Sequence, residues 1–425
     1  MIGRIGRVPT WLIASFALLA WLASGLYMLH FGASWHLDLR VYRAAGHELY
    51  SGGDPFVGTF TANHLPFTYP PFALLLLSPL SLGPLGGIET LWWLASAAAI
   101  VGLLFVLLEA ERVRPEDLRH DVHPSGSRMR SLAAAGALGA VSTLALEPVR
   151  SNMNYGQINL LLMLLVVLDC TRATSRWRGA VIGVAAAVKL TPLVYLGFFL
   201  VRRDLRASLR GGATFLVASL LAWAVLPKES ARYWLHEAGD AARTGPIGSV
   251  SNQSWEGLLN RSPFHGGSPA AIGWALLSCA TLACGLTLAH RLVASNRSTE
   301  AILALALTEL LISPVSWTHH WSWLVVAPIV VWSIWDRHRG VAWLLSGLVL
   351  LGIVAPYWWV PRGPAFDIAG NALVIWGAAT LVIWTIAELR YHPAAPSGGP
   401  IRPRHSTKRR AGVTGIHVPS GPHDG

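Results

Sequence analysis

TLWWLASAAAIVGLLFVLLE (residues 90–109) is a run in which only the last side chain, Glu109, is charged. About 20 apolar residues in a helix span the hydrocarbon core of a bilayer, so this stretch predicts a membrane-spanning helix. The whole chain shares this character, because 53% of its 425 residues are hydrophobic and only 13% are charged. Soluble domains average about 25% charged residues. The sequence therefore predicts an all-α polytopic integral membrane protein, and its continuous apolar runs argue against a membrane β-barrel.

Apolar segments of this kind predict about 10–12 transmembrane or re-entrant helices. They lie at 9–31, 71–82, 90–109, 131–147, 157–171, 179–201, 211–226, 270–290, 301–314, 319–335, 341–357 and 371–388. The first is long for the apolar part of a signal peptide, so we expect it to be retained. Together the segments predict one membrane-embedded domain, 1–392. A basic, Pro- and Gly-rich tail, 393–425, is expected to be disordered, cytoplasmic and attracted to anionic lipid headgroups.

Charge decides the orientation of the segments, because cytoplasmic loops carry an excess of Lys and Arg. Both termini and the basic loop 111–130 are therefore expected inside the cell. The first loop, 32–70, and the large loop, 227–269, are expected outside. This pattern predicts a multi-pass protein of the plasma membrane.

Two segments obey the charge rule only if they enter and leave the membrane on the same side. Segment 71–82 is short and Pro-rich, and 179–201 has strongly basic flanks at both ends. Pro192 interrupts the second segment and breaks a helix there. We therefore predict that both segments are re-entrant, with Lys189 at the outer apex of a broken hairpin.

The net charge of +11 does not by itself indicate nucleic-acid binding. Lys and Arg lie mostly in short loops and in the two tails, which is the pattern that membrane topology requires. The cysteines provide neither a disulfide framework nor metal-ligand spacing. His319 and His320 point in different directions on a helix, and no carboxylate cluster accompanies them, so no metal is expected. No Gly-rich phosphate loop is present, and no cofactor is expected.

Polar residues that loops do not readily explain gather on the predicted outer side, in six separate stretches. The stretches are Asp38 with Arg40, His64 with Tyr69, 147–159, Lys189, 251–255 and 316–321. Ionisable groups at membrane depth are costly and are functional candidates. Each also has a structural explanation: a helix-end acid, a Glu147–Arg150 pair, a lysine reaching the headgroups or an interfacial aromatic belt. Their joint occurrence on one side favours a site.

The composition of this site suits glycosyl transfer from a lipid-linked phosphosugar. Trp faces bind sugar rings, Arg, Lys and His bind phosphate, and a carboxylate deprotonates a hydroxyl. A glycosidase requires two carboxylates. A phosphate leaving group is already anionic and needs cations rather than a proton donor, so a single base, Asp38, suffices. Nucleotide sugars are not expected outside the cell, which indicates a polyprenyl phosphate sugar as donor.

Several motifs together resemble glycosyltransferase family 87, the polyprenol-phosphate-mannose-dependent α-1,2-mannosyltransferases of mycobacteria and their relatives. The matching stretches are DLRVYRAAG (38–46), LPFTYPPFA (65–73), EPVRSNMNYGQINLLL (147–162), VKLTP (188–192), ARYWLHEAGDAARTGPIGSVSNQSWEG (231–257) and SPVSWTHHWSWL (313–324). The resemblance implies a GT-C fold, a polyprenyl phosphomannose donor and an acceptor that is a phosphatidylinositol mannoside or a lipid-anchored mannan such as lipomannan or lipoarabinomannan. Closer similarity to the enzymes that add mannose branches is expected.

The resemblance also implies roles for individual residues. Asp38, in the first outer loop, is the expected catalytic base, with His319 or His320 across the site. Donor phosphate and sugar are expected to contact Arg40, Arg150, Lys189, Tyr69, Asn154, Tyr155, Gln157 and Asn159. Acceptor sugars are expected to contact His64, Asn252, Gln253, Trp255 and Trp317. The expected product is an α-1,2 linkage formed with inversion at the extracytoplasmic face.

Two other classes of function stay open at this point. A flippase or transporter of lipid-linked sugars would use the same cations and Trp residues, although it needs polar groups along a path across the bilayer. A scaffold of a cell-envelope complex would not depend on Asp38 or His320. The sequence also leaves open branching against chain-terminal mannose addition, the exact acceptor and the oligomeric state.

Overall fold

A computed structural model describes residues 8–31, 36–112, 124–172, 176–263, 267–361 and 364–391. The chain divides into two units, Met1–Leu389 and Arg390–Gly425. The predicted tail, 393–425, lies outside the described residues.

Helices make up nearly all of the regular structure in the described residues. In chain order they are α1 (Thr10–Phe31), α2 (Leu37–Tyr50), α3 (Pro71–Leu77), α4 (Leu85–Arg112), α5 (Pro124–Ala145), α6 (Glu147–Tyr155), α7 (Asn159–Thr171), α8 (Ala180–Val188), α9 (Leu196–Val201), α10 (Leu205–Val225), α11 (Pro227–Arg232), α12 (Trp255–Arg261), α13 (Gly267–Ala294), α14 (Ser298–Ile312), α15 (Ala327–Ile334), α16 (Arg339–Val354), α17 (Pro364–Ala369) and α18 (Ala372–Arg390). Each predicted apolar segment coincides with helix, which confirms the all-α fold class.

Shorter elements connect these helices. Strands β1 (Thr59–Phe60) and β2 (Leu65–Pro66) pair antiparallel between α2 and α3, with Thr59 opposite Pro66 and Phe60 opposite Leu65. A π-helix, Tyr233–Glu237, continues α11. Tight 3₁₀ turns are formed by Ser78–Leu82, Thr191–Tyr195, Ala241–Thr244, Thr318–Val326 and Pro356–Trp358.

Six helices among the described residues are long and apolar enough to cross a membrane. They are α1, α4, α10, α13, α16 and α18. A seventh candidate span is the pair α5 and α6, which is bent by 86°. Large apolar side chains on these helices face outward, such as Leu276 on α13, which is 67% exposed. An exposed apolar surface of this extent suits contact with lipid and confirms the prediction of a polytopic membrane protein.

The predicted broken hairpin at 179–201 is confirmed. Arg178 precedes α8 and Asp204 follows α9, yet their side chains form an ion pair with Nη1 and Oδ2 3.1 Å apart. The nine residues of α8 extend about 13 Å, since an α-helix rises 1.5 Å per residue. The chain then leaves the helix at Lys189, which is extended, and returns through Thr191–Tyr195 and α9. Both basic flanks therefore lie at the same end of the hairpin.

Segment 71–82 also returns to where it began. Tyr69, just before α3, and Trp92, on α4, both contact the ring of Tyr42 on α2, with ring centroids 5.1 and 6.0 Å away. Pro71 begins α3, and the last part of the segment is the 3₁₀ turn. The residues on both sides of the segment thus contact the same helix, and re-entry into the membrane stays a prediction.

The turn between α6 and α7 requires glycine. Gly156 has φ of 67°, a left-handed conformation that favours glycine. A Cβ at this position would lie 2.9 Å from the Cβ of Leu39 on α2. Glycine therefore both ends α6 and allows it to approach the start of α2, which brings Gln157 beside Asp38.

Helix α14 occupies the centre of the fold. Its residues from Thr299 to Thr308 are all buried, which fits a helix that is apolar on every side. Trp321 and Trp384 are among the largest fully buried side chains of the surrounding core. The carboxylates of α14, Glu300 and Glu309, lie near its two ends.

Candidate active site

A cavity of about 730 Å³ is lined by eight of the sixteen side chains that the sequence singled out. Five of the six predicted stretches contribute predicted site residues to its wall. The sixth, 251–255, contributes only Ser251, which was not a predicted site residue. The predicted residues that line it are Asp38, Tyr69, Tyr155, Gln157, Lys189, Trp317, His319 and His320. The fold thus brings together residues that are up to 282 positions apart in the sequence.

Asp38 is held by a relay of polar side chains. Gln157 Nε2 donates to Asp38 Oδ2 over 2.5 Å, and the hydroxyl of Tyr69 donates to Gln157 Oε1 over 2.8 Å. Tyr42 OH lies 2.9 Å from Tyr69 OH. Because the Gln157 carbonyl accepts from tyrosine, its amide N–H groups face Asp38. The relay therefore fixes one carboxylate oxygen of Asp38. Tyr42 lies one turn from Asp38 on the same face of α2, and the sequence analysis did not single it out.

Burial raises the pKa of Asp38 to about 6, against the opposing effects of the Gln157 hydrogen bond and the positive charge of Lys189. A carboxylate with a raised pKa binds a proton more readily than an ordinary aspartate and is still ionised at neutral pH. A general base works best when its pKa lies near the working pH. Asp38 therefore has the ionisation that proton abstraction requires.

Lys189 provides a cation in the same cavity. Its ammonium donates to Asn159 Oδ1 over 2.7 Å and lies 3.2 Å from His320 Nε2. It also lies 5.5 Å from the centre of the Tyr69 ring. The extended backbone at Lys189 interrupts the hairpin and directs this side chain into the cavity instead of along a helix face.

The structure adds Glu309 to this part of the site. Its carboxylate lies near the hydroxyls of Thr191 and Tyr195 and close enough to Lys189 for their charges to interact. A small space of about 30 Å³ between them is lined by both charged side chains. Nothing in its apolar sequence context, LALTELLIS, distinguished this glutamate from an ordinary buried carboxylate.

The two adjacent histidines have different environments. His320 Nε2 is engaged with Lys189, whereas His319 Nε2 has no hydrogen-bond partner among the described residues. The backbone carbonyl of His319 accepts from Asn152 Nδ2 over 3.0 Å, and its ring packs edge-on against Tyr155. His320 is thus placed to hold Lys189, and His319 retains a ring nitrogen that can contact a substrate.

Two predicted phosphate ligands lie outside the cavity wall. Arg40 Nε pairs with Glu89 Oε1 at 2.8 Å, because α2 packs beside the start of α4. Arg150 Nη1 donates to the carbonyl of Leu144 over 2.8 Å, across the bend between α5 and α6. Neither guanidinium lines the cavity. Arg150 also does not pair with Glu147, whose carboxylate accepts from Tyr357 instead.

Three predicted acceptor ligands have hydrogen-bond partners within the chain itself. Asn252 is fully buried and accepts from the backbone N–H of Ser316. Gln253 is fully buried and accepts from the backbone N–H of Leu373 at the start of α18. Trp255 donates its indole N–H to a threonine on α13. The SNQSW motif thus ties the large loop to the helices behind it and leaves only its first residue, Ser251, on the cavity wall.

Three further predicted residues, His64, Asn154 and Asn159, do not line this cavity, and Asn159 lines the small space beside Lys189 instead. His64 is exposed in the turn between β1 and β2, with φ of 52°. The backbone carbonyl of Asn154 accepts from the N–H of His36 over 2.6 Å. Gln157 and Asn159, expected to orient a sugar, instead position Asp38 and Lys189.

No group of three or more His, Cys, Asp or Glu side chains within the described ranges is arranged to hold a metal ion. The expectation of a reaction without metal or cofactor stays a prediction.

Comparison with known proteins identifies relatives along most of the chain. The profile of glycosyltransferase family 87 matches residues 67–314, a range that includes Tyr69, Gln157 and Lys189 but not Asp38. No solved structure matches.

Curated relatives extend the match further. A polyprenol-phosphate-mannose-dependent alpha-(1-2)-phosphatidylinositol mannoside mannosyltransferase of Mycobacterium tuberculosis is 33% identical over 411 residues, covering 89% of this chain and 91% of the relative. Its counterpart in Mycolicibacterium smegmatis is 35% identical over 378 residues, covering 82% and 83%. A Mycobacterium tuberculosis enzyme named for phosphatidylinositol pentamannoside is 33% identical over 401 residues, covering 91% and 87%. The expected closeness to branching enzymes stays a prediction.

Proposed function

The chain belongs to glycosyltransferase family 87, and from this premise we propose that it transfers mannose from polyprenyl phosphomannose to a 2-hydroxyl of a lipid-anchored mannoside. The acceptor is a phosphatidylinositol mannoside, as the names of the relatives suggest, or the related mannan of lipomannan and lipoarabinomannan. The product is an α-1,2 linkage.

One observation carries the proposal: a positioned carboxylate and a positioned ammonium line the same cavity. Asp38 is the base and Lys189 the cation, and they are close enough for their charges to interact. Asp38 takes the proton of the acceptor 2-hydroxyl as its oxygen bonds to the anomeric carbon of the donor. The bond from that carbon to the phosphate oxygen breaks, and polyprenyl phosphate leaves with the electron pair.

Lys189 stabilises the leaving phosphate. Charge develops on the phosphate oxygen as its bond to the sugar breaks, and a preorganised cation in a water-poor site stabilises that charge strongly. Lys189 supplies this charge, with Asn159 and His320 fixing its position. His319, with its available ring nitrogen, contacts the donor phosphate or the sugar. Attack opposite the leaving phosphate inverts the anomeric centre.

The extracytoplasmic face is proposed for this cavity because of the charge of the loops. The hairpin apex, Lys189, lies at the cavity, whereas its basic flanks lie at the other end of the hairpin. Basic flanks are expected on the cytoplasmic side. A lipid-linked donor in the bilayer of the plasma membrane would reach the cavity without release into water.

The test is Asp38→Asn, assayed with polyprenyl phosphomannose and a phosphatidylinositol mannoside acceptor in reconstituted membranes. General-base catalysis contributes roughly 10²–10⁴-fold, so kcat is expected to fall by about that factor. Glu48→Gln is the matched control, because Glu48 lies on the same helix and does not line the cavity. Near-normal transfer by Asp38→Asn would reject the assignment of the base.

A further inference from the structure

Carboxylates other than Asp38 also line the cavity, and most of them already have partners. Glu237 Oε2 lies 2.8 Å from Arg243 Nε. Asp240 Oδ1 accepts from the backbone N–H of Ala242 over 3.1 Å. Asp38 itself accepts from Gln157, as described above. These partners leave the three carboxylates with part of their hydrogen-bonding capacity satisfied in the absence of substrate.

Glu256 is different. Its carboxylate lines the same cavity, and it has no hydrogen-bond or ion-pair partner among the described residues. Burial is the only resolved influence on its pKa, which it raises. Glu256 is half-buried, and a carboxylate that loses part of its water without gaining a partner costs free energy. Such a cost is commonly retained where a ligand supplies the missing hydrogen bonds.

The backbone that carries Glu256 is fixed by its neighbours. Ser254 Oγ accepts from the N–H of Gly257 over 3.1 Å and begins α12. The Trp255 indole is anchored to Thr281 Oγ1 at 2.9 Å. Arg261, at the end of α12, donates to Asn371 Oδ1 over 2.6 Å. The short helix is therefore fixed at both ends, and the Glu256 carboxylate belongs to a preformed wall.

The neighbouring surface suits a sugar. The hydroxyls of Ser249 and Ser251 lie 2.8 Å apart on the cavity wall, and Trp274 lines the cavity as well. Hydroxyls offer both donors and acceptors, and an indole offers a flat apolar face. A carboxylate accepts short, charge-assisted hydrogen bonds from sugar hydroxyls.

Charge distinguishes the two substrates. The donor carries a phosphodiester, which a carboxylate repels and which Lys189 attracts. The acceptor glycan is uncharged where it receives mannose. Cavities of about 300–1,000 Å³ bury drug-sized ligands, so a volume of about 730 Å³ has room for sugars beyond the reacting hydroxyl.

We propose that Glu256, with Ser249, Ser251 and Trp274, forms a subsite for the acceptor glycan, in which the carboxylate accepts hydrogen bonds from hydroxyls of the sugar next to the one that is mannosylated. The proposal rests on the proposed function and deepens it. It makes Glu256 a determinant of acceptor length: an acceptor with one mannose leaves the subsite empty, whereas one with two fills it.

The experiment compares Glu256→Gln with wild type on two probes, an alkyl α-mannoside and an alkyl α-linked dimannoside, with polyprenyl phosphomannose as donor. The measured quantity is kcat/KM for the dimannoside divided by kcat/KM for the monomannoside. This ratio is expected to fall roughly tenfold in the variant, the effect of losing one charge-assisted hydrogen bond. Because it is a ratio, it does not depend on the fraction of folded enzyme.

Glu229→Gln is the matched control, since Glu229 lies on α11 and does not line the cavity; its ratio is expected to equal that of wild type. An unchanged ratio in Glu256→Gln, or a rise in KM for the donor with no change in the ratio, would overturn the subsite while leaving the proposed function standing. Absence of mannose transfer to either probe and to phosphatidylinositol mannoside by wild type would overturn both.

Discussion

The charged side chains at the two ends of α14 have different surroundings: those at one end pair with one another, and those at the other end border the cavity. At its N-terminal end, Arg297 forms ion pairs with Glu300 and, over 2.7 Å, with Glu388 on α18. His338 Nε2 lies 2.9 Å from the same Glu388. At its C-terminal end, Glu309 interacts with Lys189, which faces the open cavity. Nine residues along the helix separate Glu300 from Glu309, a rise of about 14 Å.

The difference separates charges that hold the fold from charges that serve a site. In the N-terminal cluster the side chains of Arg297 and Glu388 are only 6% and 4% exposed, and they neutralise one another. A transporter needs polar groups that a substrate can contact along its path, and a cluster closed on itself does not provide them. At the C-terminal end the charges border a cavity, which fits an enzyme whose chemistry occurs at one side.

Removing one member of the closed cluster should produce the largest effect on stability. Arg297→Ala leaves two buried carboxylates without their main counter-charge, and breaking a buried pair in this way costs about 3–5 kcal/mol. We expect a clearly lower Tm in detergent, measured by the loss of the monodisperse peak on heating. The fraction that stays folded should keep the wild-type KM for the donor. A raised donor KM in that fraction would contradict the separation of the two ends.

Lys189→Met should lower kcat strongly and change the Tm little, the reverse of Arg297→Ala. The change removes the cation that faces the phosphate, and loss of one preorganised electrostatic contact costs roughly 10²–10³-fold in kcat. Lys189 is not part of a closed cluster, so the Tm is expected to change much less than in Arg297→Ala. Steady-state kinetics and Tm on the same preparation check both points. A large drop in Tm with normal kcat would make Lys189 a structural residue.

Glu309→Gln should lower kcat/KM through its effect on Lys189, and by less than Lys189→Met lowers kcat. The change removes a negative charge that favours the ammonium form of the lysine, so kcat/KM is expected to fall about tenfold at high pH and less near neutrality. The alkaline limb of the pH profile should therefore move to lower pH. Glu48→Gln provides the reference profile. A uniform loss at all pH values would indicate a packing defect instead.

Much of the fold followed from the sequence because its signals are local. Long apolar runs predicted the spans, and basic flanks with Pro192 predicted the broken hairpin. The same logic identified the cavity residues, since a charge within an apolar segment, such as Lys189, is costly and needs a reason. The closed cluster was not predicted, because Arg297 and His338 lie in basic loops that topology alone explains.

The predicted site residues that do not line the cavity are placed by tertiary contacts. Asn252 and Gln253 have the residue types of a sugar site, but the fold uses their amides to satisfy backbone groups at the start of α18 and near Ser316. Arg40 follows Asp38 by two positions, which on a helix directs it away from the cavity and toward Glu89. Residue type and spacing alone do not distinguish an amide that binds a ligand from one that binds the backbone.

The smallest expected effect is a shift in the acid limb of the kcat/KM profile, which we assign to Asp38. Burial raises the pKa of this carboxyl to about 6, and the base is active when ionised, so kcat/KM should rise with pH and reach half of its plateau near pH 6. Gln157 donates to the carboxylate and lowers that pKa. Gln157→Met should therefore move the acid limb to higher pH, whereas Glu48→Gln should not move it. An acid limb near pH 4 in wild type would contradict the raised pKa of Asp38, and a limb unchanged in Gln157→Met would show that a group other than Asp38 controls it.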